Sequence, residues 1–156
     1  MTKQKLVVVG NGMAGARAVE EVLLRGGDEL FDIVMFGDEP YGNYNRILLS
    51  NVLSGIQDAG EIFINPLSWY EENKVKLHAG ARVTEIDRAA RVVEASNGVR
   101  ESYDKLLIAT GSRAFVPPMQ GSEGPDGGLR SGVYAFRTTT TATPSSRRRS
   151  ARGAPR

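Results

Sequence analysis

The stretch Val7-Val8-Val9-Gly10-Asn11-Gly12-Met13-Ala14-Gly15 constrains the fold more than any other part of the chain. A β-branched run enters a glycine-rich turn, and a helical pattern starts directly behind it. Its three glycines stand at G-x-G-x-x-G spacing, and each has a mechanical task. Gly10 permits a tight turn off the strand. Gly12 removes the Cβ where backbone must approach a pyrophosphate, and Gly15 lets the new helix pack closely on the strand. The helix N-terminus then offers N–H groups and a partial positive charge to phosphates. An ordinary glycine-rich turn is the plain alternative. The strand before it and the helix after it favour a dinucleotide site.

From Met13 to Leu24, Ala14, Ala18 and Val22 form one i,i+4 row beside Gly15, Val19 and Leu23, which predicts a helix with one face on a sheet. The runs Leu6–Val9, Ile33–Phe36 and Lys105–Ala109 are continuously apolar or nearly so, as buried parallel strands are, and Val75–His78 is expected to be a further parallel strand. The first two, joined by the helix, make a β-α-β unit. Asp38 lies 23 residues past Gly15, near the spacing of the acid that holds an adenosine ribose. Glu39 beside it is the alternative, and a solvated acidic turn before Pro40 is the bland one. Asn65-Pro66 predicts the start of a short helix through Leu67, Trp69 and Tyr70. The segments Arg82–Asp87, Arg91–Ala95 and Arg100–Tyr103, separated by Arg88-Ala89-Ala90 and the hairpin signal Asn97-Gly98, predict an antiparallel meander inserted into the parallel sheet. Gly121–Gly132 reads as a surface loop and Gly132–Arg137 as a final strand.

The chain has no cysteine among its 156 residues, which excludes disulfides, thiolate-bound zinc and cysteine-ligated clusters within it. Its one histidine, His78, has no visible partner in the sequence and is expected to be structural; no metal site is expected. No apolar run approaches the ~20 residues of a membrane span, and the start leaves no room for a leader peptide, so a cytoplasmic protein without membrane contact is expected. The chain holds 20 basic and 18 acidic side chains, and residues 138–156 contain five of the arginines and no acid, so residues 1–137 carry a net charge of −3. That mildly acidic body gives no reason to expect nucleic acid as a partner. Arg147-Arg148-Arg149 stands without aromatic platforms and reads as a basic end.

The order of features carries more than any one of them. A β-α-β unit with the glycine spacing, then a meander, then a buried strand ending in Ala109-Thr110-Gly111 resembles the FAD domain of two-dinucleotide-domain flavoprotein reductases, the pyridine nucleotide-disulfide oxidoreductase superfamily. Gly37-Asp38-Glu39-Pro40-Tyr41, Asn45-Arg46 and Val133-Tyr134-Ala135-Phe136-Arg137-Thr138 resemble its ferredoxin- and rubredoxin-reductase branch. Val9–Gly15 and Tyr44-Asn45-Arg46-Ile47-Leu48-Leu49-Ser50 resemble the start of NAD(P)H nitrite reductase large subunits. The resemblance implies an α/β, Rossmann-like FAD-binding domain over residues 1–137, a parallel sheet with an inserted antiparallel β-meander, truncated before the NAD-binding domain. It implies FAD as cofactor, with NAD(P)H a partner only if the missing second domain is supplied. Gly10, Gly12, Met13, Ala14 and Gly15 would form the pyrophosphate turn. Asp38 or Glu39 would take the ribose, and Arg46 the pyrophosphate or flavin side. The Val83 backbone would meet the adenine, and Thr110, Gly111 and Arg137 would close over the cofactor.

Two departures stand out. Many relatives carry a lysine after the Leu-Ser, where this chain has Asn51. Residues 138–156, rich in Thr, Ser, Pro and Arg, read as a disordered tail where the family continues into its NAD(P)H domain. Reading the codons of Thr138–Pro144 two nucleotides later permits an acidic helix start and then an apolar helix, so a frameshift near Thr138 is expected. The leading expectation is the FAD-binding portion of an NAD(P)H-dependent oxidoreductase of nitrite reductase type, with no catalytic side chain because the cofactor performs the chemistry. The alternative is a catalytically inactive FAD-binding module. An NAD-dependent dehydrogenase is disfavoured by the lack of a Tyr-x-x-x-Lys or His/Asp pairing.

Overall fold

A computed structural model describes residues 2–142. It divides into two units, the residues up to Tyr44 with Phe63–Gly111, and Asn45–Ile62 with the residues from Ser112 onward.

The first unit is a mixed α/β structure built on a parallel sheet of order β5-β2-β1-β9, with β1 at Gln4–Val9, β2 at Phe31–Gly37, β5 at Lys76–Ala79 and β9 at Lys105–Ile108. Val9 pairs with Phe36 on one side and with Ile108 on the other. Alternation along β1 sorts the core into two layers. Leu6 and Val8 face one side with Ile33 and Met35, against Val19 of helix α1 (Met13–Leu24) and Tyr70 of helix α3 (Leu67–Glu72). Val7 and Val9 face the other with Val34 and Phe36, against Ala81, Val93 and Ala95. That second layer is the expected meander: β6 (Val83–Asp87), β7 (Val92–Ala95) and β8 (Arg100–Ser102), paired antiparallel in chain order. Because both faces of β1 are covered, Val7 and Val8 are fully buried. Each such side chain contributes roughly 1.5–3 kcal/mol of burial. A short antiparallel pair, β3 (Asn43–Tyr44) with β4 (Phe63–Asn65), completes the unit.

The second unit holds helix α2 (Leu49–Ser54) and the four-residue helix α4 (Thr139–Ala142), which pack on each other. Leu49, Val52, Thr139 and Ala142 are buried.

Two expectations need correction. Gly132–Arg137 forms no strand: Gly132 sits at φ +92° and Val133 N–H bonds back to Arg130 O (2.9 Å), so the segment leaves a turn rather than entering a ladder. Thr139–Ala142 lies within the span read as tail, yet it is helical with two buried side chains. Its start is set by Thr141 Oγ1, which accepts from the N–H groups of Arg137 (3.2 Å) and Thr138 (3.0 Å). The rest of that tail, including Arg147-Arg148-Arg149 and residues 143–156, lies outside the described residues. Among the described residues no helix is long and apolar enough to cross a membrane.

Candidate functional site

The carboxyl ends of β1, β2 and β9 meet at the glycine turn. Gly10 N–H donates to Phe36 O (2.9 Å), and Ala109 N–H donates to Val9 O (2.8 Å). The order of the sheet reverses direction at β1, because β2 lies on one side of it and β9 on the other. Crevices at such switch points are where open α/β sheets bind ligands.

The three glycines of the turn are not equivalent. Gly10 has φ +118°, and a Cβ built there would lie 2.2 Å from Ala109 O. One built on Gly15 would lie 2.0 Å from Gly10 O. Both positions are closed by the chain itself. At Gly12 the same Cβ meets nothing within 4 Å. Gly12 caps α1 in an extended conformation without a side-chain cap, and the first turn of α1 holds no acid. The first intrahelical bond runs from Ala16 N–H to Gly12 O (3.0 Å), so the N–H groups of Met13, Ala14 and Gly15 precede the helical ladder. Met13 and Ala14 are exposed. Open space over unclaimed N–H groups, at the positive end of a 12-residue helix, fits a pyrophosphate.

Asp38 and Glu39 leave the end of β2 on different terms. The Asp38 carboxylate is exposed, with Arg82 Nη1 3.8 Å away. Both Glu39 oxygens lie within hydrogen-bond reach of the Tyr44 hydroxyl, at 3.0 and 2.9 Å. The main chain ahead of Val83 is tied to the same corner, by Gly80 N–H to Glu39 O (3.1 Å) and Ala81 N–H to Gly37 O (2.8 Å). Val83 itself is half-buried at the start of β6. Thr110 and Gly111 are exposed just past β9.

Arg46 and Arg137 belong to the second unit, and there they meet across 91 positions of sequence. The Arg46 guanidinium donates to Arg137 O, and Arg137 Nη2 donates to Ser112 Oγ (3.0 Å). Asn51 donates from Nδ2 to Gln57 Oε1 (2.9 Å). A hollow of about 350 Å³ in this unit is lined by Leu53, Gly132, Tyr134, Phe136 and Thr141.

His78 has a partner that the sequence did not reveal. Glu101 of β8 is buried and accepts from His78 Nε2 (2.9 Å), Lys76 Nζ (2.7 Å) and Lys5 Nζ (3.1 Å). The His78 ring stacks on Phe36, centroids 4.9 Å apart. The hub joins the meander to β1 and β5, strands separated in the sheet by β2. The one signal for it is an acid at the inward position of β8. Burial pushes the Glu101 carboxyl up, but hydrogen bonds from Lys76, His78 and Lys5 outweigh it and hold the group at about 2 rather than 4.5. A carboxylate with a lowered pKa stabilises the fold above its unfolded value, and that contribution fades as pH falls from about 4.5 to about 2. The shift corresponds to about 3 kcal/mol. Glu101→Gln should therefore be less stable than the parent at neutral pH by that order, with the difference vanishing near pH 2. Urea melts across that range check this; parallel pH profiles for the two proteins would contradict it.

Residues 4–149 match the family described as pyridine nucleotide-disulphide oxidoreductase. The NAD(P)H nitrite reductase of Bacillus subtilis (strain 168) is 45% identical over 137 residues, covering 88% of this chain and 16% of that protein. The nitrite reductase (NADH) large subunit of Escherichia coli (strain K12) is 36% identical over 156 residues, 99% of this chain and 18% of that protein. The crystal structure of NADH:rubredoxin oxidoreductase from Clostridium acetobutylicum superposes with a TM-score of 0.75 at 26% identity, over 90% of this chain and 34% of that one. The chain spans less than a fifth of the length of either nitrite reductase.

Proposed function

The chain belongs to the pyridine nucleotide-disulphide oxidoreductase family, and on that basis we propose that it is the FAD-binding portion of an NAD(P)H-dependent oxidoreductase of nitrite reductase type. The observation that carries the proposal is the open space at Gly12 above the uncapped start of α1. In this reading residues 1–137 are the FAD-binding domain. Gly10 and Gly15 shape the turn, and the N–H groups of Gly12, Met13 and Ala14 bind the pyrophosphate. The ribose hydroxyls go to Asp38, whose carboxylate faces solvent, with Glu39 held nearby by Tyr44. The Val83 backbone meets the adenine. Thr110, Gly111 and Arg137 close over the cofactor, and Arg46 serves the pyrophosphate or flavin side.

Bound there, FAD supplies hydride acceptance from a reduced nicotinamide and onward electron delivery. The protein's own part is binding, orientation and exclusion of water, and no side chain need move a proton. These 156 residues contain one strand–glycine turn–helix fingerprint. We assign it to FAD, and a nicotinamide would need a second. By itself the polypeptide is therefore proposed to hold flavin without reducing it.

Equilibrium dialysis of the purified chain against FAD and against NAD tests the assignment. FAD is expected to be retained the more tightly of the two, with visible flavin absorption carried by the protein. Tighter retention of NAD would overturn it.

A further inference from the structure

Asn11 stands between the first two glycines of the turn, a place where the fingerprint asks nothing of a side chain. Here the side chain is fully engaged. Its Oδ1 accepts from Tyr70 Oη at 2.7 Å, and its Nδ2 points to Tyr41 O at 3.4 Å. The Tyr70 oxygen also accepts from Asn43 N–H at 3.2 Å. There is little room to move: a Cβ on Gly37 would lie 3.1 Å from Asn11 Cβ. One buried hydroxyl on α3 thus ties the glycine turn to residue 43, and the Asn11 side chain it holds reaches residue 41. Those residues bracket the far end of the loop that carries Asp38 and Glu39.

We infer that Tyr70 is a positioning residue of the dinucleotide site, which through Asn11 sets the distance between the phosphate-binding turn and the loop bearing the ribose acids. The inference rests on the FAD-binding reading and deepens it. A pyrophosphate and its adenosine ribose are joined covalently, so the two protein segments that bind them must keep a matching separation. Backbone amides serve the phosphates, and their placement depends on what holds the turn. The ring of Tyr70 belongs to the core with Val8, Val19 and Met35, but core packing needs no hydroxyl at that place. Burial pushes the Tyr70 hydroxyl up, so it remains a neutral donor: its oxygen accepts from Asn43 N–H and its single proton goes to Asn11 Oδ1. That choice in turn fixes which end of the Asn11 amide faces Tyr41.

The test uses the full chain with Tyr70→Phe, Asn11→Ala and the double variant, titrated with FAD and with ADP, the half of the ligand that would touch this turn. Tyr70→Phe is expected to weaken both about tenfold, and the double variant to bind no more weakly than Asn11→Ala alone. Val93→Ala, in the layer on the opposite face of the sheet, is the control for lost stability. It should lower the melting temperature and leave both affinities unchanged. In ligand-free protein, NMR order parameters of the Gly12, Met13 and Ala14 amides should fall in Tyr70→Phe and hold in Val93→Ala. Affinities of Tyr70→Phe within twofold of the parent, with those order parameters unchanged, would overturn the inference. Failure of the parent to bind either FAD or ADP would instead overturn the FAD-binding reading, and the order parameters would still decide the role of Tyr70.

Discussion

Gly12→Val is expected to abolish dinucleotide binding, by at least about 100-fold, in a protein that still folds. The backbone at Gly12 is extended, at φ −83° and ψ −175°, a region that β-branched residues favour. The added atoms begin in space where no protein atom lies within 4 Å of the Cβ, so the unliganded chain has little to lose. In the proposed reading, that space is the one the pyrophosphate needs in order to reach the N–H groups of α1. Melting curves should agree within a few degrees while dialysis shows no retained FAD. Unchanged affinity in the variant would mean that the phosphates sit elsewhere.

Gly15→Ala is expected to do the reverse, strongly destabilising the protein through one methyl group. Its Cβ would lie 2.0 Å from Gly10 O and 3.1 Å from Gly10 C, where the obstacle is backbone rather than a movable side-chain end. Relief requires α1 to lift from the end of β1, which opens the layer that Val19 shares with Val8 and Met35. A cost of at least about 3 kcal/mol follows from overpacking at such a contact, a large share of the roughly 5–15 kcal/mol that a domain has in total. Gly10→Ala should be as severe, because it adds a strained φ to a 2.2 Å contact with Ala109 O. Urea titrations of the two alanine variants beside Gly12→Val would separate the roles. Parental stability in Gly15→Ala would show that the helix is not seated as described.

The same contrast explains what could be read from sequence. The turn, α1 and the apolar runs of β1, β2 and β9 depend on local pattern, as do β5 and the meander, whose Asn97-Gly98 turn has Gly98 at φ +81°. These elements formed where they were expected. β3 was not legible because a two-residue strand has no period; it exists through Asn65, the cross-strand partner of Asn43. The Glu101 hub draws on Lys5, Lys76 and His78, which lie 23 to 96 positions away. The apolar stretch Val133–Phe136 reads as a strand, yet a strand needs a neighbour to pair with, and Gly132 turns the chain away from one. α4 was missed for the opposite reason. Threonine is a poor helix former, and the segment is set by local hydrogen bonds to Thr141 Oγ1 that propensity ignores. At the candidate site, the glycines and both acids could be named from spacing. The roles of Asn11 and Tyr70 could not, since 59 residues separate them.

The two neighbours of β1 arrive at very different times. Val9 meets Phe36 after 27 residues and Ile108 only after 99, and closing the longer loop costs about 1 kcal/mol more in chain entropy. The β-α-β half can assemble as soon as it is made, while one edge of β1 waits through the whole meander. At about 5–20 residues per second of synthesis, that edge stays open for several seconds, a template for mispairing. Since Ala109 closes the turn at Gly10, the glycine turn proposed to cradle the phosphates takes its final form only when β9 docks. During refolding, flavin binding should therefore lag behind the appearance of helix and the burial of the first core layer, and added FAD should accelerate neither.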